Sequence, residues 1–152
     1  MTTHKLAIHL DEWDRDVYSG RQIDLDAYRY ACKAFGVSEI AVINSGKIEY
    51  EMNDESMKLE EFDSFEDFRL AHQDESITIV EVPWAAPADA VGLHKENVPR
   101  TDWYVIGPAR GWKCQPQGCK WISIKQNGKG ALHGQHIATL LLGHLFITKK
   151  GR

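Results

Sequence analysis

Five short apolar runs, separated by stretches of helical period or by polar turns, constrain the fold of this chain more than any other feature. They are Leu6-Ala7-Ile8-His9-Leu10, Glu39-Ile40-Ala41-Val42-Ile43, Ile77-Thr78-Ile79-Val80-Glu81-Val82, Trp103-Tyr104-Val105-Ile106 and Trp121-Ile122-Ser123-Ile124. Each has the length and the β-branched or aromatic content of a strand. Between the first two, Leu25, Tyr28, Ala31, Cys32 and Phe35 recur at i, i+3, i+4 spacing, which predicts a helix from Asp24 to Phe35. Asp24 is placed to cap its start and Gly36 its end. Ser64 is placed to cap a short helix over Phe65 to His72, and a long apolar helix opens at Ala131-Leu132-His133 and reaches about Phe146. Near-continuous apolar strands alternating with helices define an α/β protein, with a mainly parallel sheet covered by helices on both faces.

The connections are less regular. Ser45-Gly46 begins a polar segment in which Lys47 to Glu51 could pair as an edge strand. From Trp84 to Pro99 the pattern is irregular, with a short helix expected around Ala88 to Leu93. No internal repeat, low-complexity tract or interdomain linker is evident, so residues 1–152 read as a single domain. That length is enough to bury a substantial core.

Composition narrows the setting. The apolar run Leu140 to Phe146 is too short to span a membrane, and His144 interrupts it. Met1-Thr2-Thr3-His4-Lys5 lacks the features of a secretory signal, which makes a cytoplasmic protein the simplest expectation. The net charge of −4 argues against a strongly nucleic-acid-loving surface overall. The charge is uneven, however: Glu49 to Glu75 is rich in acids, and Lys113 to Arg152 carries mostly Lys and Arg. A basic C-terminal face is compatible with RNA, as it is with an ordinary solvated surface. Of the three cysteines, Cys32 falls in an apolar helical pattern and is expected in the core. Cys114 and Cys119 could form a disulfide or offer two metal ligands. With no second pair to complete a tetrahedral set, free thiols are the favoured reading and no metal site is expected.

The stretch from Asp102 onward carries the candidate chemistry. The strand ending at Ile106 breaks at Gly107-Pro108, followed by Ala109-Arg110-Gly111-Trp112. The strand ending at Ile124 runs into Lys125-Gln126-Asn127-Gly128-Lys129-Gly130 and then Ala131-Leu132-His133. Strand, glycine loop, strand, glycine loop and helix bring flexible backbone to one sheet edge. Such an edge can hold a small polar cofactor through main-chain hydrogen bonds.

This arrangement resembles the C-terminal half of SPOUT-class RNA methyltransferases, particularly their SpoU-like branch. There, a Gly-Pro-Glu-like loop follows one strand, and an Ile-Pro-like strand end leads to Ser-Leu-Asn at the last helix. The corresponding stretches are Gly107-Pro108-Ala109, Ile124-Lys125-Gln126 and Ala131-Leu132-His133. Upstream, Asp24 to Val37 fits the spacing of the family's Asn-x-Gly-x-x-x-Arg helix start followed by Phe-Gly, here Phe35-Gly36. The resemblance covers nearly the whole chain. It implies a C-terminal trefoil knot, S-adenosylmethionine as cofactor, a homodimer and an RNA substrate, most plausibly tRNA or rRNA methylated on a ribose 2'-oxygen. It places Val82, Gly107, Gly111, Ile124, Ala131 and Leu132 at the cofactor.

The departures from the family pattern fall on its chemistry. Asp24, Asp26 and Tyr30 stand where the family has Asn, Gly and Arg, and Ala109 stands where a glutamate is usual. Ala131 and His133 replace Ser and Asn. Arg29 and His133 are therefore the catalytic candidates: an arginine can stabilise a developing alkoxide or orient a phosphate, and a histidine can act as base. His133 could equally cap its helix or bind an anion. Arg21 and Arg110 are weaker alternatives. Trp112 could stack on a nucleobase or serve an oligomer contact. The helix from Ala131 is apolar around more than one stripe, with Tyr28 and Tyr30 expected on the partner surface, which agrees with a dimer. The alternative function is a catalytically lapsed SPOUT-like protein acting as a cofactor- or RNA-binding module. A third is different chemistry in the same pocket. The alternative fold is an unknotted flavodoxin-like or Rossmann-like sandwich. The Gly107 loop lacks the dinucleotide fingerprint spacing and does not follow the first strand, which disfavours it.

Overall fold

The computed structural model describes residues 4–11, 23–51, 57–93, 97–108, 111–124 and 134–150. Strand β1 (Lys5–Leu10) leads to β2 (Ile23–Asp24), α1 (Asp26–Ala34) and β3 (Glu39–Asn44). Next come β4 (Tyr50–Glu51), β5 (Lys58–Phe62), α2 (Phe65–Ala71) and β6 (Ile77–Glu81). The chain finishes with β7 (Val91–Gly92), β8 (Trp103–Ile106), β9 (Lys120–Ser123) and α3 (Gly134–Lys150).

Seven strands form one sheet in the order β5-β3-β1-β8-β6-β9-β7, and every pairing is parallel. All five strands read from the sequence lie in it, and the α/β class stands. The two faces have separate cores. Leu6, Ile8 and Leu10 of β1 pack with Tyr28, Cys32, Leu141 and Leu145 of α1 and α3. Ala7 of the same strand packs with Phe65 and Phe68 of α2 and with Trp103 and Val105. Burial on both faces explains why the central strands read as unbroken apolar runs rather than as an alternation.

The local rules hold at most element ends. Ser64 Oγ accepts from the Asp67 backbone N–H at 3.1 Å, capping α2. After α1, Gly36 takes φ +76°, and Val37 N–H donates to the Cys32 carbonyl at 2.8 Å, a left-handed helix stop. The start of α1 differs from expectation. Its cap is Leu25, with no side-chain hydrogen bond, while Asp24 belongs to β2. The reason is tertiary: β2 pairs with β4 in a separate two-stranded sheet, and Leu25 N–H continues that ladder to the Glu51 carbonyl at 3.0 Å.

Three further corrections concern edges. The strand expected over Lys47 to Glu51 shrinks to β4 and lies outside the main sheet. The true edge is β5, Lys-Leu-Glu-Glu-Phe, whose charges hide it in the sequence because an edge strand pairs on one side only. The helix expected around Ala88 to Leu93 is absent; Val91–Gly92 instead pair with Ile122 and Ser123.

Candidate functional site

The order of the strands selects an edge. From β1 the chain moves outward through β3 to β5, then crosses over with α2 to β6, and β8 later enters between β1 and β6. Ligands of open parallel sheets gather outside the carboxyl ends of the strands where the winding reverses, which here are the ends of β1, β8 and β6.

Three of the expected cofactor residues meet there on adjacent strands. Gly107, directly after β8, donates its N–H to the Val80 carbonyl at 3.3 Å. Ile124, directly after β9, donates to the Glu81 carbonyl at 3.0 Å. Val82, directly after β6, is half-buried against the α1–α3 core, and Ile124 is buried in the same cluster. Gly111, at φ +78°, lies beyond Gly107; a Cβ there would sit 3.1 Å from the ring of Trp84, which is 67% exposed. The last helix begins at this same edge, since a Cβ on Gly134 would sit 2.0 Å from the Tyr28 hydroxyl and 3.5 Å from Ile106. Ala131, Leu132 and the catalytic candidate His133 lie outside the described residues, as do Arg21 and Arg110.

Arg29 sits in the first turns of α1. Its Nε donates to Asp26 Oδ1 at 3.1 Å, and its guanidinium lies 4.6 Å from the centre of the Tyr30 ring. Two expectations about aromatic residues are corrected. Trp112 is no free stacking platform: its half-buried ring packs at 5.0 Å against both His9 and Phe65, and at 6.4 Å against Trp121. Tyr28 is buried in the core, which leaves Tyr30, 61% exposed, on the outer surface. Cys32 is buried as expected, and burial pushes its thiol up to about 12. Cys114 and Cys119 are free thiols.

Sequence reasoning missed the group with the most unusual chemistry. Glu81 is 4% exposed and follows Ile77 and Ile79 on the α2 face of β6. Burial pushes its carboxyl up to about 8; the Val82 backbone N–H and the Trp112 indole favour the charged form, but less strongly. Glu81 Oε1 and Trp112 Nε1 are both buried, and neither closes a hydrogen bond among the described residues. Gly107 makes this packing possible: a Cβ there would meet Glu81 Oε1 at 1.7 Å and Trp112 Nε1 at 3.0 Å.

His9 lies on the same face, one strand beyond Gly107. Ser45 Oγ donates to the Leu10 carbonyl at 3.2 Å and lies 3.1 Å from His9 Nε2. A hydroxyl has one proton, so Nε2 carries the imidazole hydrogen and Nδ1, buried without a partner among the described residues, is an acceptor. Burial holds His9 neutral by lowering its pKa to about 4, against the opposing pull of Asp11 and Glu66. The signal for Glu81 was present in the sequence: a lone acid at an inward position of a strand apolar on both faces.

At the opposite edge of the sheet, a cleft of about 270 Å³ is lined by Arg69, His72, Glu75, Ser76 and Lys120 among others. Its polar groups are largely satisfied. Glu75 accepts from Lys5 Nζ at 2.6 Å and lies 2.7 Å from His72 Nδ1, and Asp102 accepts from the Ser76 N–H at 2.8 Å. Although burial alone would raise it, Glu75 is held down to about 2 by these partners. Paired charges at the amino ends of strands make a structural edge, so the candidate site remains at the carboxyl ends.

Comparison with solved structures bears on the fold. The chain aligns over 98% of its length, and 99% of the other chain, with a structure concerned with 2-OH methylation on tRNA, at a TM-score of 0.60 and 14% identity. An rRNA methyltransferase from Sinorhizobium meliloti matches over 99% of this chain and 57% of its own, at a TM-score of 0.59 and 12% identity. A Porphyromonas gingivalis protein described as an RNA methyltransferase of the TrmH family matches over 93% of this chain and 59% of its own, at a TM-score of 0.57 and 12% identity. The fold is one shared with RNA methyltransferases. No family model matches the sequence, and no curated protein matches it. At these identities the likeness lies in the backbone path, in agreement with the SPOUT resemblance drawn from the motifs. The chain spans somewhat more than half the length of the two larger neighbours.

Proposed function

We propose that this protein binds S-adenosylmethionine at the carboxyl edge of β6, β8 and β9 and transfers its methyl group to RNA, with a ribose 2'-oxygen of tRNA or rRNA as acceptor. The observation that carries this reading is the end-to-end match, over 98% of the chain, to a structure concerned with 2-OH methylation on tRNA. The edge suits such a ligand. Gly107 has no side chain of its own, and half-buried Val82 and buried Ile124 bring apolar surface for a purine ring to the same edge. The SPOUT-like reading includes the C-terminal trefoil knot, a homodimer and a cytoplasmic setting.

When bound, the cofactor would supply an electrophilic methyl on sulfur. The protein must orient the acceptor oxygen and take its proton. Arg29, at the start of α1, is the group proposed to stabilise the developing oxyanion or the neighbouring phosphate. His133, immediately before α3, is proposed as the base. For Arg29 to reach RNA its contact with Asp26 at 3.1 Å must be exchanged for one to substrate. That existing partner also favours the second reading, a protein that keeps the cofactor pocket as a binding module without transfer.

Isothermal titration with S-adenosylmethionine, together with labelled-methyl incorporation into total RNA, tests both readings. Binding that is lost in Gly107→Val, with incorporation reduced about 10²–10³-fold in Arg29→Ala at unchanged cofactor affinity, is the expected result. Binding without incorporation supports the module. Absence of binding sinks the cofactor reading.

A further inference from the structure

Glu81, Gly107 and Trp112 form a contact that the proposed transfer reaction does not use. The carboxyl of Glu81 leans across the α-carbon of Gly107 so closely that a Cβ there would lie 1.7 Å from Oε1. Trp112 closes over the same point, its Nε1 3.0 Å from that Cβ position, and its ring is pinned by His9 and Phe65 at 5.0 Å each. Among the described residues neither Oε1 nor Nε1 has a hydrogen-bond partner, and Glu81 is only 4% exposed. A side chain apolar throughout would fill this position more favourably, so the buried carboxyl is a costly choice on structural grounds alone.

We propose that Glu81 is a proton-dependent positioning residue for Trp112, holding the indole over Gly107 and so keeping the cofactor edge formed while its carboxyl is protonated, and releasing the indole on ionisation. As an acid the carboxyl needs little solvation and Trp112 can seat on it. As a carboxylate in the same place it demands water or more donors than Val82 N–H and the indole supply, and lifting Trp112 admits that water. Burial places the transition at about 8, within the range a cell or an assay can visit.

The titratable groups on the surrounding elements do not compete. His9 of β1 stays neutral across this range, its pKa lowered to about 4. Asp11 after β1 and Glu66 of α2 enter only as charges that favour the protonated form of His9. Ahead of β9, burial pushes the Cys119 thiol above its ordinary range, with Arg69 opposing. Gly107 and Ser123, on the flanking strands, do not titrate.

The inference rests on the cofactor reading for its functional consequence but not for its structural one, and the experiment separates them. Glu81→Gln keeps the shape and the neutral state and removes the proton. In the wild type, affinity for S-adenosylmethionine measured by calorimetry should fall about tenfold between pH 7 and pH 9.5, and in Glu81→Gln by less than about twofold. In parallel, tryptic cleavage after Lys113, located by mass spectrometry, should accelerate with pH in the wild type relative to Glu81→Gln at each pH, with far-ultraviolet circular dichroism unchanged. Equal pH dependence of cleavage in the two proteins overturns the proposal, whatever the cofactor does. Pronounced cleavage differences with no cofactor binding at any pH uphold Glu81 as the positioning residue and remove the cofactor reading instead. A cofactor affinity equally pH-dependent in both proteins also overturns it.

Discussion

His9 and Glu81 flank Gly107 on neighbouring strands and are perturbed in opposite senses by the same cause, burial. Their effects on stability oppose each other. His9 titrates at about 4 in the folded protein against an ordinary 6.5, so between those values the unfolded chain binds more protons and stability rises with pH. Glu81 titrates at about 8 against an ordinary 4.5, so the folded protein binds more protons across that span and stability falls with pH. From pH 4.5 to 6.5 the two slopes cancel in part, and from 6.5 to 8 only that of Glu81 remains. Substitution should unmask each limb. Relative to wild type, Glu81→Gln should gain stability progressively as pH rises to 8. His9→Gln should lose the acid-side rise below 6.5. The limiting slope is about 1.4 kcal/mol per pH unit for each proton. Urea midpoints of the three proteins across pH 4–9 read this directly, and parallel curves would show that neither group is buried as described.

At the scale of elements, α1 and α2 are bounded by different devices of similar worth. Ser64 satisfies an orphan N–H of α2 at 3.1 Å, and Gly36 supplies the left-handed residue after α1 with nothing within 4 Å of the position a Cβ would take. Ser64→Ala should therefore cost about 1 kcal/mol through the lost cap. Gly36→Ala should cost about the same through backbone strain alone, since there is room for the methyl group. Chemical denaturation checks both, and a Gly36→Ala cost well above that would mean that the space is not open. The start of α1 has no such device. Its cap is Leu25, 1% exposed, so its position depends on the β2–β4 ladder and core packing rather than on a local signal.

At the scale of the molecule, the α1–α3 face keeps apolar side chains outside the core. α1 and α3 pack together through Phe35 and Phe146, ring centres 5.8 Å apart, but leave Tyr30, Leu140 and Ile147 outside at 61%, 48% and 69% exposure. Exposed apolar side chains on two helices that pack together are the surface expected of a dimer contact. Light scattering at micromolar concentration should give a dimer mass, and Leu140→Glu with Ile147→Glu should give a monomer with unchanged circular dichroism. A monomeric wild type would defeat the dimer.

The apolar runs and the helical spacing between them carried the α/β class, the five central strands and the three helices of the described residues, because strands buried on both faces and helices buried on one must carry those patterns wherever they pack. The glycine stop at Gly36 and the cap at Ser64 were equally local and equally legible. The tertiary structure decided what depends on partners distant in sequence. Glu-rich β5 is a strand because β3 offers it an edge, and Asp24 extends β2 instead of capping α1 because β4 lies beside it. The site divides in the same way. Gly107, Val82 and Ile124 were placed from strand ends and motif order, and the sheet brings them together. Glu81 acquired its chemistry only when β8 was inserted between β1 and β6, which set a side-chain-free residue beside it and Trp112 above it. A sequence fixes how apolar each segment is, but which two segments become neighbours, and so which polar atom loses its water, is settled by the packing of the whole chain.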